Sequence, residues 1–228
     1  MLDMDKKEFI NGLKYAIFDM DGTVVDSLSF WDFCWSEIGK KYFANPDFRP
    51  DPEFDKAIRT ITMKDTAILI KERYLPEETV DNIYNLCNDL IQYYYVNVVG
   101  TKTGVTEFLD KLLENGVKMC IASATEPRFI RIIMDKCGLG KYFSFVISCT
   151  DVGAGKDKPD VFLEALRRLG GDIGEACVFE DSCVALETAE KAGFKTVGIY
   201  DKNNYGQDRL KAASDIYLSE NETYYDLI

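Results

Sequence analysis

Short apolar stretches alternate along most of the chain with longer segments whose apolar residues have helical spacing. The apolar stretches are YAIFD (15–19), VKMCIAS (117–123), FVIS (145–148), CVFED (177–181), KTVGIY (195–200) and DIYL (215–218). Alternation of strands and helices on this scale is typical of a doubly wound α/β fold. The pattern therefore predicts a Rossmann-like, three-layer core with a mainly parallel sheet.

The alternation breaks between residues 28 and 100, where the sequence contains no convincing strand. Apolar positions in this segment recur at helical intervals, most clearly at Ile83, Leu86, Cys87, Leu90, Ile91, Tyr94 and Val98. The segment starts with FWDFCW, is interrupted by NPDFRPDP and returns through GTKTG, whose glycines permit a hinge. We therefore predict a helical module, residues 28–100, inserted into a core formed by residues 1–27 and 101–228.

Composition limits the classes of partner. The chain has 228 residues, 46% of them hydrophobic, which is enough to bury a sizeable core. A formal charge of −12 argues against a nucleic-acid or anionic-membrane surface, because those partners require clustered Lys and Arg. No stretch has the apolar length of a signal peptide or a membrane span, so we expect a cytoplasmic protein. No sequence feature predicts an oligomeric state.

Cysteine and histidine usage narrows the chemistry further. The seven cysteines include no CxxC pair, which favours reduced, mostly structural thiols over disulfides or a zinc site. Histidine is absent, which excludes triads and pH switches that depend on imidazole. Acid/base chemistry near neutral pH therefore falls to carboxylates, Lys, Cys or Tyr.

Polar residues follow four of the predicted strands at the point where each strand ends. They are Asp19 and Asp21 after the first strand, Ser123, Ala124 and Thr125 after the second, Lys156 and Lys158 after the third, and Glu180, Asp181 and Ser182 after the fourth. Ligands of parallel α/β sheets bind beyond the carboxyl ends of the strands, where such loops converge. These residues are therefore candidates for a single site.

The acidic residues of this set require compensation if they meet. Two carboxylates about 4 Å apart repel by about 4 kcal/mol at an effective dielectric near 20, so Asp19, Asp21 and Asp181 together need a cation or a shared proton. An all-oxygen ligand set favours Mg²⁺, which commonly binds carboxylates together with a substrate phosphate. Ser123, Lys156 and the backbone N–H groups of the Gly22 turn can hold a phosphate. One Asp can then attack phosphorus while the other protonates the leaving oxygen.

Four ordered motifs carry a resemblance to a known family. They are DMDGTV at 19–24, the Ser that closes the second strand, GKDKPD at 155–160 and VFEDS at 178–182. Together they resemble the motifs of the haloacid dehalogenase-like superfamily, in its phosphoryl-transfer members. The insert resembles the small helical cap of the phosphatase and β-phosphoglucomutase branch, and the acid at Asp21 separates the chain from the dehalogenases themselves.

The resemblance implies a role for each motif position. Asp19 is the residue phosphorylated, Asp21 is the acid/base and gives a backbone oxygen to Mg²⁺, and Asp181 ligates Mg²⁺. Ser123 and Lys156 bind the transferring phosphoryl group. Alignment on Pro159 selects Lys156 over Lys158, because the family's lysine lies three residues before that proline. Asp19 and Glu180 complete the predicted metal ligands, and Gly22, Thr23 and Ala124 complete the predicted phosphate site.

The insert offers weaker predictions about the substrate. Phe30, Trp31, Phe33 and Trp35 are expected to form its hydrophobic core, because buried aromatic rings normally serve packing. The segment RTITMKDTA (59–67) occupies the position of a specificity loop in related caps. Arg59 and Lys64 are therefore predicted to contact the distal part of a small phosphorylated metabolite.

Three functions are compatible with these features. The main hypothesis is a Mg²⁺-dependent phosphatase that hydrolyses a sugar phosphate or a phosphoglycolate-like acid through an aspartyl-phosphate. A phosphomutase of the β-phosphoglucomutase type uses nearly the same motifs, although Thr23 modestly favours hydrolysis. A phospho-Asp switch module is the third, against which the insert and the second acid count. Taken singly, the motif residues could also be turn residues, helix caps or a surface lysine.

Overall fold

The computed structural model of the chain describes residues 6–59 and 61–228. The chain forms two compact units, one made by residues up to Leu28 together with Val99–Ile228 and the other by Ser29–Val98. All strands of the described residues belong to the first unit, whereas the described part of the second unit contains helices and connecting turns. None of the helices in the described ranges is long and apolar enough to cross a membrane.

The first unit is built on a parallel sheet. Its strands are β1 (Tyr15–Phe18), β2 (Lys118–Ser123), β3 (Phe143–Ser148), β4 (Ala176–Glu180), β5 (Lys195–Ile199) and β6 (Ile216–Leu218). They lie in the order β3-β2-β1-β4-β5-β6, and every neighbouring pair is parallel. The predicted Rossmann-like α/β fold is confirmed. Strands β2 and β3 lie on one side of β1, and β4, β5 and β6 lie on its other side. The strand order therefore reverses between β1 and β4, and this topological switch point is where such folds bind ligands.

Helices make up most of the remaining described chain. They are α1 (Lys6–Asn11), α2 (Phe30–Ile38), α3 (Pro52–Ile58), α4 (Met63–Arg73), α5 (Val80–Asn97), α6 (Val105–Glu114), α7 (Pro127–Cys137), α8 (Cys149–Val152), α9 (Asp160–Leu169), α10 (Cys183–Ala192) and α11 (Gln207–Ala212). A π-helical turn, Gly39–Phe43, continues α2, and short 3₁₀ turns span Leu139–Lys141, Ile173–Glu175 and Tyr224–Leu227. Helices α2 to α5 form the second unit.

Alternate residues of the central strands serve opposite faces of the sheet. Ile17 and Val178 belong to one buried cluster with residues of α9 and α10. On the other face the rings of Phe18 and Phe179 stack with their centroids 4.3 Å apart, and Phe108 of α6 contacts both. Strands covered on both faces read as continuous apolar runs, as YAIF does. This packing fixes the carboxyl end of β1, from which Asp19 follows.

The second unit has an aromatic core of its own. Trp35 is fully buried among the rings of Phe54 and Tyr74, and its Nε1 donates a hydrogen bond of 2.8 Å to Asp55. Of the other aromatic residues that begin this unit, Phe30 is buried, whereas Trp31 and Phe33 are half-buried. Helix α5 also contributes apolar side chains to the interior of this unit. Its buried residues are Ile83, Cys87, Tyr94 and Tyr95.

Replacing Phe18 by alanine should destabilise the first unit strongly. The side chain is completely buried against three other aromatic rings, and truncating a buried phenylalanine costs about 3–5 kcal/mol. Urea unfolding followed by circular dichroism measures the loss. Leu113→Ala on the exposed side of α6 is the control and should change the free energy of unfolding by about 0.5 kcal/mol or less. Equal losses for the two variants would contradict the packing described.

Candidate active site

The two aspartates after β1 have different surroundings. Asp19 is buried, and its backbone N–H donates to the carbonyl of Phe179 at 2.9 Å, which extends the pairing of β1 with β4. Asp21 is half-buried, and each of its carboxylate oxygens accepts a hydroxyl hydrogen bond, from Ser27 at 2.6 Å and from Thr125 at 2.7 Å. The two carboxylates are therefore held by separate sets of partners.

The turn that follows requires a glycine at position 22. Gly22 has a φ of +80°, and a Cβ built there would lie 2.4 Å from Oδ2 of Asp181. Its N–H donates to the carbonyl of Val25 at 2.9 Å, which closes the turn. The adjacent Thr23 is fully buried, and its hydroxyl donates to Oδ1 of Asp181 at 3.1 Å. The side chain of Thr23 thus supports an acidic residue, although sequence analysis placed it in the phosphate site.

Lys156 lies between two acids from different strand ends. Its Nζ donates to Oδ1 of Asp19 and, at 2.6 Å, to Oε1 of Glu180. The side chain is only 10% exposed, whereas Lys158 is exposed. The structure therefore brings Lys156, and not Lys158, to the acidic residues.

Glu180 is an integral part of the turn after β4. Its Oε2 accepts the backbone N–H groups of Asp181 at 3.0 Å and of Ser182 at 2.9 Å, while its other oxygen accepts from Lys156. Burial and these three donor atoms fix the carboxylate, which therefore orients Lys156. Ser182 precedes α10 without a capping hydrogen bond from its side chain.

Ser123 ends β2 on the same edge of the sheet. It is 1% exposed and lies opposite Ser148 in the pairing with β3, and its Oγ accepts the N–H of Thr125 at 3.0 Å. Ala124 between them is exposed. Helix α7 starts after Glu126, which makes no capping hydrogen bond through its side chain. Ser123 and Thr125 thus organise the loop rather than cap the helix.

Asn204, which was not among the predicted site residues, contacts Asp181. Its Nδ2 donates to Oδ2 of Asp181 at 2.7 Å and to the backbone carbonyl of the same residue at 3.0 Å. Asn204 lies in the DKNN segment that follows β5, the strand next to β4. The polar composition of this loop, which follows a strand near the switch point, was the sequence feature that could have indicated Asn204. Ser27 and Thr125, which hold Asp21, were likewise not assigned a role.

Buried negative charge dominates the electrostatics. Carboxylate oxygens of Asp19, Glu180 and Asp181 lie within 4.8 Å of one another, and all three residues are buried. Burial, with Glu180 and Asp21 adding and Lys156 opposing, raises the pKa of Asp19 to about 8. Burial, Glu180 and Asp19 likewise raise the pKa of Asp181. Burial lowers the pKa of Lys156, but Asp19 and Glu180 outweigh it and raise that pKa above its usual value.

This donor set fits a hard divalent cation. Lys156 pairs with Asp19 and Glu180, and its single positive charge is insufficient to neutralise the three carboxylates of the cluster when they are ionised. Oxygen donors of this kind suit Mg²⁺. The carboxylate of Asp21 is not part of this cluster among the described residues, so the predicted contribution of Asp21 to a metal is limited to its backbone oxygen.

The predicted specificity residues lie in the second unit. Arg59 follows α3, and its Nε and Nη2 contact Oδ2 of Asp55 at 2.8 and 2.7 Å. Lys64 lies in the first turn of α4 and is exposed. Thr60, within the same predicted segment, lies outside the described residues. Contact of Arg59 and Lys64 with a substrate stays a prediction.

Comparison with known proteins decides the family. The sequence profile of the haloacid dehalogenase-like hydrolases matches residues 13–193. The chain belongs to this family. The family membership predicted from the four motifs is thereby confirmed, and so is the prediction that the chain is an enzyme.

Three haloacid dehalogenase-like proteins illustrate how this member relates to others. It is 23% identical to a phosphorylated carbohydrates phosphatase of Thermotoga maritima, over 89% of this chain and 92% of that protein. It is 22% identical to a β-phosphoglucomutase of Bacillus subtilis, over 91% and 90%. A solved structure from Thermotoga maritima, provisionally assigned as a β-phosphoglucomutase, superposes with a TM-score of 0.78 at 22% identity, covering 91% of this chain and 94% of that one.

Gly22→Ala should disrupt the site more than an equivalent change elsewhere. Gly22 combines a positive φ with a Cβ position 2.4 Å from Asp181, whereas Gly116 has a φ of +73° with nothing near its Cβ position. Gly116→Ala isolates the backbone cost, about 1 kcal/mol. We expect Gly22→Ala to lose more stability in urea and also to weaken Mn²⁺ binding, which Gly116→Ala leaves unchanged. Matching behaviour of the two variants would contradict the steric argument.

Proposed function

We propose that this protein is a Mg²⁺-dependent phosphatase that hydrolyses a small phosphomonoester through an aspartyl-phosphate on Asp19. The observation that carries the proposal is the division of labour between the two aspartates. Asp19 lies in the buried acidic cluster beside Lys156, whereas Asp21 is held outside that cluster by two hydroxyl groups. A nucleophile and a separate acid/base require such a division.

In the proposed first step, a carboxylate oxygen of Asp19 attacks phosphorus while the bond from phosphorus to the leaving oxygen breaks. Protonated Asp21 gives its proton to that oxygen, so an alcohol departs. In the second step Asp21 takes a proton from water, whose oxygen attacks phosphorus. The bond from phosphorus to the Asp19 oxygen breaks, so inorganic phosphate forms and the Asp19 carboxylate is regenerated.

Electrostatic stabilisation of the transferring group is assigned to residues around Asp19. Lys156 provides positive charge, and the hydroxyl of Ser123 and the backbone N–H groups of the Gly22–Thr23 turn and of Ala124 are proposed donors to the phosphoryl oxygens. Asp19, Asp181 and the backbone oxygen of Asp21 would hold Mg²⁺, with Glu180 close by. The bound ion would neutralise carboxylates and phosphoryl charge together.

The second unit is proposed to be a cap that selects the substrate. Sugar phosphates are the first substrates to test, because a relative at 23% identity carries the name phosphorylated carbohydrates phosphatase. Phosphoglycolate-like acids are the second class. Arg59 and Lys64 are proposed as the cap residues that contact the part of the substrate distant from phosphorus.

A phosphomutase is the second candidate function. The Bacillus subtilis relative, named β-phosphoglucomutase, favours it. The first step would be unchanged, but the phosphoryl group would pass from Asp19 to a sugar hydroxyl instead of water. Conversion of β-glucose 1-phosphate to glucose 6-phosphate without matching release of phosphate would replace the phosphatase proposal with this one.

Phosphate release from a panel of small phosphomonoesters, with Mg²⁺ or with EDTA, tests the proposal. We expect Mg²⁺-dependent release that Asp19→Asn abolishes, because an amide cannot act as the nucleophile. Asp26→Asn, at an exposed position in the same segment, is the control and should retain activity. Release that survives Asp19→Asn would refute the mechanism. Silence on the panel combined with stable labelling of Asp19 by acetyl phosphate would favour a phospho-Asp switch.

Thr125→Val should impair the proposed acid/base step selectively. The hydroxyl of Thr125 holds one oxygen of Asp21, and valine keeps the shape without the donor. General acid catalysis contributes about 10²–10⁴-fold, so we expect kcat/KM for an alkyl phosphate, which reports the first step alone, to fall by about tenfold or more. The kcat/KM for p-nitrophenyl phosphate should change little, because its leaving group needs no proton in that step.

Thr125→Ser is the matched control, since it keeps the hydroxyl and should retain most alkyl phosphate turnover. Steady-state kinetics with both substrates supply the comparison. An equal fall in kcat/KM for the alkyl and aryl esters in Thr125→Val would show that Thr125 supports the loop as a whole rather than the acid step of Asp21.

A further inference from the structure

Both carboxylate oxygens of Asp181 have a dedicated donor. Thr23 donates to Oδ1 at 3.1 Å and Asn204 to Oδ2 at 2.7 Å. The amide of Asn204 also bonds the backbone carbonyl of Asp181 at 3.0 Å, so one side chain restrains both the main chain and the side chain. The backbone of Gly22 packs so closely against the Asp181 carboxylate that even a methyl group at position 22 would overlap Oδ2.

The loop after β5 in turn fixes Asn204. Its backbone N–H donates to the carbonyl of Asp201 at 3.0 Å, and its Oδ1 accepts the N–H of Tyr205 at 2.9 Å. Gln207 bonds the carbonyls of Asp201 and Asn204 at 3.0 and 3.3 Å. The Asn204 amide is therefore presented to Asp181 by a loop with its own hydrogen bonds.

We propose that Asn204 is a positioning residue that fixes the Asp181 carboxylate for a divalent cation and thereby favours Mg²⁺ over Ca²⁺. This inference rests on the metal site of the proposed function and adds a determinant of its selectivity. Asn204 acts through Asp181 and is not itself a ligand.

The physical basis is the difference in geometry between the two ions. Mg²⁺ requires near-octahedral oxygens at about 2.0–2.1 Å, whereas Ca²⁺ accepts six to eight oxygens at about 2.3–2.6 Å in flexible arrangements. A carboxylate held on both oxygens has little freedom to rotate or to become bidentate. Releasing it should therefore penalise Mg²⁺ more than Ca²⁺. Hydrogen-bond partners of metal ligands typically change metal affinity by about 10–100-fold.

The neighbouring asparagine provides a matched control. Asn203 lies in the same loop, but its buried Nδ2 has no hydrogen-bond partner in the described part of the chain. Its backbone N–H bonds Asp201 at 2.8 Å, and alanine would keep that bond. Asn203→Ala therefore removes the same side-chain amide one residue away and leaves the hydrogen bonds between Asn204 and Asp181 in place.

Mn²⁺ binding to the full-length protein, followed by electron paramagnetic resonance, measures the effect. Competition by Mg²⁺ and by Ca²⁺ then gives the relative affinity of each ion. For Asn204→Ala we expect about tenfold weaker Mn²⁺ binding and a larger loss for Mg²⁺ than for Ca²⁺, with Asn203→Ala like the native protein. Circular dichroism checks folding, and Asn204→Ser, whose hydroxyl is too short to reach Asp181, replaces the alanine variant if that variant does not fold.

Different outcomes would overturn different parts of the argument. Native affinity and selectivity in Asn204→Ala would refute the role of Asn204 and leave the metal site intact. An equal loss for all three ions would assign Asn204 a general structural role and also refute it. Failure of the native protein to bind Mn²⁺ would overturn the metal site of the proposed function, and this inference with it.

Discussion

The contact of Lys156 with Asp19 and Glu180 is the interaction on which the site depends. It joins the loop after β3 to the ends of β1 and β4 in a place where all three side chains are nearly or fully buried. Removing one member of a buried charge set leaves the others uncompensated, which typically costs about 3–5 kcal/mol. The lysine therefore sets where the two acids lie, and the acids keep the lysine charged.

Other strand ends contribute donors rather than charges. The loop after β2 provides Thr125 to Asp21, the turn after β1 provides Thr23 to Asp181, and the loop after β5 provides Asn204 to the same acid. Each acid is thus oriented by a segment distant in sequence, while the sheet keeps those segments adjacent. Groups held in this way need little reorganisation when charge develops on a substrate, which is the main physical source of electrostatic catalysis.

The sequence predicted the acids and the sheet but not which hydroxyl and amide groups of the loops hold the acids, for a physical reason. Apolar runs determine strands because both faces of a parallel sheet must be buried, and all the predicted strands occur in the described residues. Acids after strands are conspicuous because isolated buried charge is costly. Ser27, Thr125 and Asn204 are ordinary loop residues, and only the three-dimensional approach of two loops distinguishes them from turn formers. Lys156 could be separated from Lys158 only by resemblance to a family, because both occupy the same polar loop.

A cluster of buried carboxylates is a poor binding site for a phosphate anion. The proposed metal and phosphate sites therefore depend on each other. A phosphate dianion approaching Asp19, Glu180 and Asp181 would be repelled, because Lys156 neutralises only one of the three negative charges and Coulomb energies between unit charges at 4 Å reach about 4 kcal/mol at an effective dielectric of 20. A divalent cation would reverse that balance. Binding of cation and phosphate should therefore be mutually favourable, and by thermodynamic linkage each would raise the affinity for the other. The position of Asp181, and with it the hydrogen bonds from Thr23 and Asn204, would then influence how tightly a phosphorylated substrate binds without either residue contacting it.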